Sequence, residues 1–334
     1  YTFIMTDFLN TNDSSSQRLD FEAAFKKTQE LIKGHLRNAP LVIRPYTRHL
    51  AKSTGKMIRA RALLICALGS DNLIDENAAK AAAAIELVHL ASLVHDDIID
   101  EAPMRRGINT LNKDFGTKTA VLCGDYLLSL ALKLASGMEN LKDRSVQKGD
   151  LLPDYLMQVC LGELRQNQNL YNYNLSEREY FKIITGKTAA LFEASFLLGH
   201  LFSEENQNLS DTYISLGKKL GIIFQLADDC ADYEATEKTS KKPVLNDYTK
   251  GVITLPLIYA MKIEPSLKEK AKDGISPQEV KAAVTVAGGL SYTHKKIQHN
   301  FRQAMKIIGQ MDINEDKKDR LRALFDKASG LSKA

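Results

Sequence analysis

Two Asp-Asp-x-x-Asp motifs, each closing an apolar helix, constrain this chain more than any other feature. The first is Asp96-Asp97-Ile98-Ile99-Asp100, after the apolar run 85–94; the second is Asp228-Asp229-Cys230-Ala231-Asp232, after residues 221–226. Positions one turn apart share a helix face, so Asp96 projects with Asp100 and Asp228 with Asp232. Carboxylates gathered there meet the negative end of the helix macrodipole and repel one another. A cation must offset them, and hard divalent cations take oxygen ligands. Arg105 and Arg106 follow the first motif just past Pro103, which stops the helix. Carboxylates for a metal beside arginines for an anion is the chemistry of a diphosphate site. A single copy would be weak, because a solvated acidic helix end has the same spelling. Two copies, each closing an apolar helix, do not fit that bland reading.

The rest of the composition narrows the class. The 334 residues are 44% hydrophobic, enough for a large core, and carry 45 basic against 41 acidic residues, net charge +4. So even a balance does not suggest a nucleic-acid binder. Cys66, Cys123, Cys160 and Cys230 lie far apart with no CxxC pair, as expected of reduced thiols in a cytoplasmic protein. No run reads as long and apolar enough to span a bilayer, and residues 1–7 lack the features of a signal peptide.

Along the chain, apolar positions recur at helical spacing and no segment sustains strand alternation. Residues 1–18 are polar and read as a flexible N-terminal segment; 19–334 read as one all-α domain of ten or more helices. Helices are expected over 19–36, 60–68, about 75–100 with an alanine run at 78–84, 119–138, 151–171, 177–202 and 209–232. Residues 109–117 read as a loop, 233–250 as a lysine-bearing surface loop, 254–263 as a short helix with Pro256 in its first turn, and 265–334 as amphipathic helices.

Further polar residues stand out against their surroundings. Lys56 and Arg59 open a helix, where backbone N–H groups and the dipole favour an anion. His89 lies two turns before Asp96 on the same face. Lys187-Thr188 sits inside an apolar helix, and a buried lysine needs a counter-charge. Gln225 precedes Asp228 by three residues, and Gly162-Glu163-Leu-Arg-Gln166 is a polar patch on an apolar helix. No Ser-His-Asp pattern, zinc spacing, P-loop or Rossmann glycine pattern is present.

From about residue 20 to the end, the chain resembles the trans-isoprenyl (polyprenyl) diphosphate synthases. The resemblance rests on five motifs in order: Gly55-Lys56-x-x-Arg59; His95-Asp96-Asp97-x-x-Asp100 with Arg105-Arg106; Gly186-Lys187-Thr188; Phe224-Gln225-x-x-Asp228-Asp229-x-x-Asp232; and Thr254-Leu255-Pro256. It implies a single-domain helical barrel of the isoprenoid synthase type, dimeric as a homodimer or, alternatively, a heterodimer with a small subunit. It also implies three Mg²⁺ ions on the allylic diphosphate, held by Asp96, Asp97, Asp100 and Asp228, with Asp229 and Asp232 acting through metal-bound water. Arg105, Lys187 and Lys242 would contact that diphosphate; Lys56, Arg59, His89 and Arg106 would hold isopentenyl diphosphate. The Lys187 carbonyl, Thr188 and Gln225 would stabilise an allylic cation, and the released diphosphate would serve as base. The chain departs from the family at Thr54, at Ala60, in the glycine-poor loop 241–247, and at Val252, where many members carry lysine. Lys250 is the nearby lysine that could substitute.

In this family bulky residues four and five positions before the first motif block the product tunnel. Here those positions are Ser92 and Ala91, with Val88 one turn further down. The expected product is therefore a polyprenyl diphosphate longer than C20, made from a farnesyl or geranylgeranyl primer, for example for quinone side chains. The alternatives are a short-chain synthase, a class I terpene cyclase, and a non-catalytic partner subunit. Six intact motif aspartates and the Lys56/Arg59 pair argue against the last two.

Overall fold

The computed structural model describes residues 17–52, 55–136, 151–203, 207–234 and 245–330. Helices carry nearly all of it, in the order α1 (Phe21–Arg37), α2 (Arg44–Leu50), α3 (Ile58–Cys66), α4 (Glu76–Ile99), α5 (Leu111–Phe115), α6 (Thr117–Ser136), α7 (Leu151–Gln168) and α8 (Glu177–Ile184). A π-helical turn, Thr185–Ala189, leads into α9 (Ala190–Leu201). Then follow α10 (Ser210–Glu234), α11 (Asn246–Thr249), α12 (Leu255–Ile263), α13 (Ser266–Lys272), α14 (Pro277–Val286), α15 (Gly289–Gln310) and α16 (Glu315–Ser329). Two antiparallel two-residue pairings complete the fold: β1 (Arg18–Leu19) with β2 (Ile74–Asp75), and β3 (Met104–Arg105) with β4 (Ile108–Asn109). The all-α expectation holds.

The central helix is α4. Asp75 caps its start by accepting from Asn77 N–H at 2.7 Å. Its alanines at 78, 79 and 81–84 are all buried, so neighbouring backbones come close, and α4 packs against α1, α3, α6 and α9. All twelve residues of α9 are buried, which puts it at the centre of the molecule beside α3 and α10. Between α7 and the π turn there is no room for side chains: a Cβ on Gly162 would stand 2.1 Å from the Lys187 amide nitrogen. That contact brings Glu163 of α7 beside Lys187.

Three local expectations are revised. The helix read over 177–202 is broken by the π turn, whose Ala190 N–H reaches back to Thr185 O. Residues 109–117 contain the one-turn α5. Helix α6 is long and apolar enough to cross a membrane by length and composition, which corrects the expectation that no run is. It packs against α4 and α5, yet only 28% of its most apolar stretch is buried. Val121, Leu122 and Leu132 of α6, with Met157, Leu161 and Leu164 of α7, are exposed apolar residues.

Candidate active site

The two aspartate motifs end α4 and α10 at one cavity of about 180 Å³, lined by Asp100, Lys187, Gln225, Asp228, Asp229, Asp247 and Lys250 among others. Helix α4 stops in a Schellman closure: Ala102 N–H donates to Asp97 O and Glu101 N–H to Ile98 O. Glu101 takes the left-handed conformation, φ 49°, where glycine is usual, and so the chain turns sharply towards the arginines. Arg106 and Gly107 then form a two-residue hairpin turn with φ 49° and 82° between β3 and β4. This turn sends neighbouring arginines to different places. Arg105 Nε donates to Asp97 Oδ1 at 2.7 Å, while Arg106 lines a second cavity.

Four carboxylates at or beside the first cavity, Asp96, Asp97, Asp229 and Asp247, are held unusually reluctant to ionise. Burial pushes Asp96 up to about 6, against the pull of Lys187 and with Glu163 and Asp100 adding to it. Asp97 is raised by burial despite Arg105. Asp229 rises to about 8 through burial and Asp247, and Asp247 to about 7 through burial, Asp232 and Asp228. Lys187 Nζ pairs with Glu163 Oε2 at 2.8 Å. Burial alone would lower its pKa, but Glu163, Asp96 and Asp100 more than offset this and raise it. Facing carboxylates that resist ionisation mark a place that a cation stabilises.

The six motif aspartates do not share one role in their contacts. Asp229 is buried; it accepts from the Tyr180 hydroxyl and, at 2.8 Å, from Gln225 Nε2. Gln225 Oε1 in turn accepts the Thr188 hydroxyl at 2.7 Å. Thr188, Gln225, Asp229 and Tyr180 are thus one chain of hydrogen bonds joining the π turn to α10. Asp232 accepts from the N–H groups of Asn246 and Asp247, both at 3.1 Å, and so caps α11. Asp228 is exposed at the cavity, and Asp100 pairs with Lys250. Among the described residues no three metal-ligating side chains converge on one point. Such a donor set suits Mg²⁺, which commonly takes one or two carboxylates and completes its shell with water and substrate phosphate oxygens.

The second cavity, about 500 Å³, gathers Lys56, Arg59, His89 and Arg106, the four residues read as one anion site. Gly55 makes room for it: a Cβ there would lie 2.7 Å from Arg106 Nη1. Arg59 lies over the Phe192 ring, 4.6 Å from its centroid. Burial lowers its pKa to about 10, with Glu86 pulling the other way. His89 is driven well below its ordinary value by burial and by Arg59, Arg106 and Arg105, so it is neutral at pH 7. Glu86 was not singled out in the sequence. Its carboxylate accepts the Ala60 N–H at 2.9 Å, so one of the donors at the start of α3 already has an anion within the protein. Tyr180 is likewise a site residue for which no local pattern speaks, and the partners of Glu163 and Lys250 become visible only in the fold.

The chain-length positions lie elsewhere. Val88 and Ala91 are buried, Ser92 is half-buried with its hydroxyl donating to His89 O, and none of them lines the 180 or the 500 Å³ cavity. Lys242 lies outside the described residues.

Comparison with known proteins agrees with this geometry. The family model described as Polyprenyl synthetase matches residues 41–287. Heptaprenyl diphosphate synthase component 2 of Bacillus subtilis is 31% identical over 266 residues, 76% of this chain and 74% of that protein. Octaprenyl diphosphate synthase of Haemophilus influenzae is 32% identical over 284 residues, 80% of this chain and 82% of that protein. Among solved structures, a polyprenyl synthase from Caulobacter crescentus, described as complexed with calcium and isoprenyl diphosphate, superposes with a TM-score of 0.80. It is 28% identical, with 92% of this chain and 94% of that one covered.

Proposed function

The chain belongs to the polyprenyl synthetase family, and on that footing we propose that it is a Mg²⁺-dependent trans-prenyltransferase, condensing isopentenyl diphosphate with an allylic diphosphate to give products longer than C20. The observation that carries this reading is the pairing of two cavities. One is rimmed by aspartates and lysines, the other by Arg59, Arg106, Lys56 and His89, and of two neighbouring arginines Arg105 pairs with Asp97 of the first motif while Arg106 lines the second cavity. The names of the relatives support the product class. Asp96, Asp97, Asp100 and Asp228 would hold Mg²⁺, which when bound supplies positive charge to the departing diphosphate. The calcium and isoprenyl diphosphate of the Caulobacter relative support a divalent cation in this role.

The residues of the chain then divide the work. Arg105 and Lys187 neutralise the allylic diphosphate as its C–O bond breaks. Lys56, Arg59 and Arg106 hold the diphosphate of the isopentenyl substrate, with His89 as a neutral hydrogen-bond partner. Leu175, Ile183, Ile184 and Ile253 wall the aspartate cavity and keep water from the allylic cation. The Thr188 hydroxyl donates its hydrogen bond to Gln225 Oε1, which leaves the hydroxyl lone pairs to face positive charge. With His89 neutral among arginines and the aspartates committed to cations or hydrogen bonds, the released diphosphate remains the base for the final proton. Growing product would leave Asp96 along Ser92, Ala91 and Val88.

The exposed apolar residues of α6 and of α7 support a dimer in which they are covered. A homodimer is the primary reading; the "component 2" in the name of the Bacillus relative supports an unlike subunit as the second. The deciding experiment is a steady-state assay with isopentenyl and farnesyl diphosphates and Mg²⁺, with chromatography of the dephosphorylated products. Elongation past C20 is expected; cyclised products would defeat the reading, and no condensation by the purified chain alone would defeat the homodimer in favour of an unlike subunit.

A further inference from the structure

Among the described residues, three cations hold three carboxylates near the aspartate motifs: Arg105 on Asp97, Lys187 on Glu163 and Lys250 on Asp100. Arg105 and Lys187 already have proposed roles on the allylic diphosphate, whereas Lys250 stands two positions before Val252, where many family members carry lysine. Lys250 closes the one-turn helix α11, and its Nζ lies 3.1 Å from Asp100 Oδ2, 150 positions away in the chain. Its backbone is pinned. Lys250 N–H donates to the carbonyls of Asn246 and Asp247, and Tyr171 N–H donates to Gly251 O at 2.7 Å. Gly251 adopts φ +77°, and a Cβ there would lie 2.6 Å from the Tyr171 ring. The lysine stem therefore leaves a fixed point, while its half-buried ammonium can exchange partners. Lys250, Asp100, Lys187, Asp228 and the uncharged Val252 all line the same 180 Å³ cavity.

We propose that Lys250 serves two anions in turn, Asp100 and the diphosphate of the allylic substrate, and that this exchange couples metal uptake at Asp100 to substrate binding. The inference rests on the prenyltransferase reading. An ammonium is a compact charge with three donors on a flexible stem, suited to such a transfer. A partly exposed lysine–aspartate pair is weak, so a multiply charged diphosphate displaces it readily. Once Lys250 turns to the substrate, Asp100 turns to the metal. Lys250 does not line the cavity of Lys56, Arg59, His89 and Arg106, so its influence falls on one substrate only.

Lys250→Met tests the proposal, because it keeps the stem and removes the charge. The allylic KM should rise by about tenfold while the isopentenyl KM stays put, as expected for loss of one charge-assisted contact. Mn²⁺ binding without substrates, followed by electron paramagnetic resonance, should tighten by roughly threefold, because Asp100 loses its internal competitor. Adding Val252→Lys to Lys250→Met should restore the allylic KM, since position 252 faces the same cavity. An unchanged allylic KM, an equal rise for both substrates, or Mn²⁺ binding that is unchanged or weaker overturns the proposal. A wild-type chain that gives only cyclised products would instead defeat the prenyltransferase reading, a result distinct from a Lys250→Met variant that matches an active wild type.

Discussion

Glu193 shows how much one side chain can depend on its surroundings. It sits within the fully buried α9, and its Oε1 has no hydrogen-bond partner. Burial raises its carboxyl to about 6, with Lys218 only partly offsetting the effect. Since the folded value lies above the ordinary glutamate value, ionisation costs the folded state above pH 6, and the cost is relieved as pH falls towards 4.5. Glu193→Gln should therefore stabilise the chain at pH 8 by on the order of 1 kcal/mol and make no difference at pH 4. Urea unfolding at the two pH values checks both the sign and its disappearance. Ala91 carries the second prediction at this scale. It is buried in α4 one turn below the first motif, and a phenyl ring there must force its way into a packed wall. Ala91→Phe should shorten the product, read as an earlier-eluting alcohol by chromatography. An unaltered product would remove the channel from this face of α4.

Among the elements, α16 acts on a helix far from it in sequence. Lys317, in its first turn, is fully buried and donates to Cys66 O at 2.7 Å and Leu68 O at 3.0 Å. Those carbonyls end α3, so a lysine 250 residues away satisfies the helix terminus whose other end opens the Arg59 cavity. Lys317→Met should cost about 2–4 kcal/mol, because buried carbonyls lose their partner, and should lower the midpoint in urea. Contacts of this kind explain what could and could not be read in the chain. Asp96 with Asp100, and Asp228 with Asp232, were legible because both members of each pair lie within one helical turn. Lys56, Arg59 and Arg106 were legible as charged residues near helix ends or motifs. Glu86 on Ala60, Glu163 on Lys187 and Lys250 on Asp100 were not, since each joins separate elements through tertiary packing alone. The π turn was hidden for another reason: its residues suit an ordinary helix, and it is the Gly162 contact that sets its place in the fold.

For the molecule as a whole, the exposed apolar residues of α6 and of α7 are a surface left to account for. Residues 122 and 132 of α6 and 157, 161 and 164 of α7 would meet water in a lone chain. Leu122→Arg combined with Leu161→Arg should convert the proposed dimer to monomers in sedimentation velocity while leaving the helical circular dichroism spectrum intact. A monomeric wild type would show that these residues serve something other than self-association. The hairpin turn at Arg106–Gly107 also matters at this scale. Because it sends Arg105 to Asp97 of the first motif and Arg106 to the 500 Å³ cavity, it works as a spacer whose length sets how far apart the two reactants are held. One added residue between Arg106 and Gly107 would leave each diphosphate its own cations but shift the alkene relative to the carbon it attacks. Loss of turnover with both KM values preserved would then report on alignment rather than affinity.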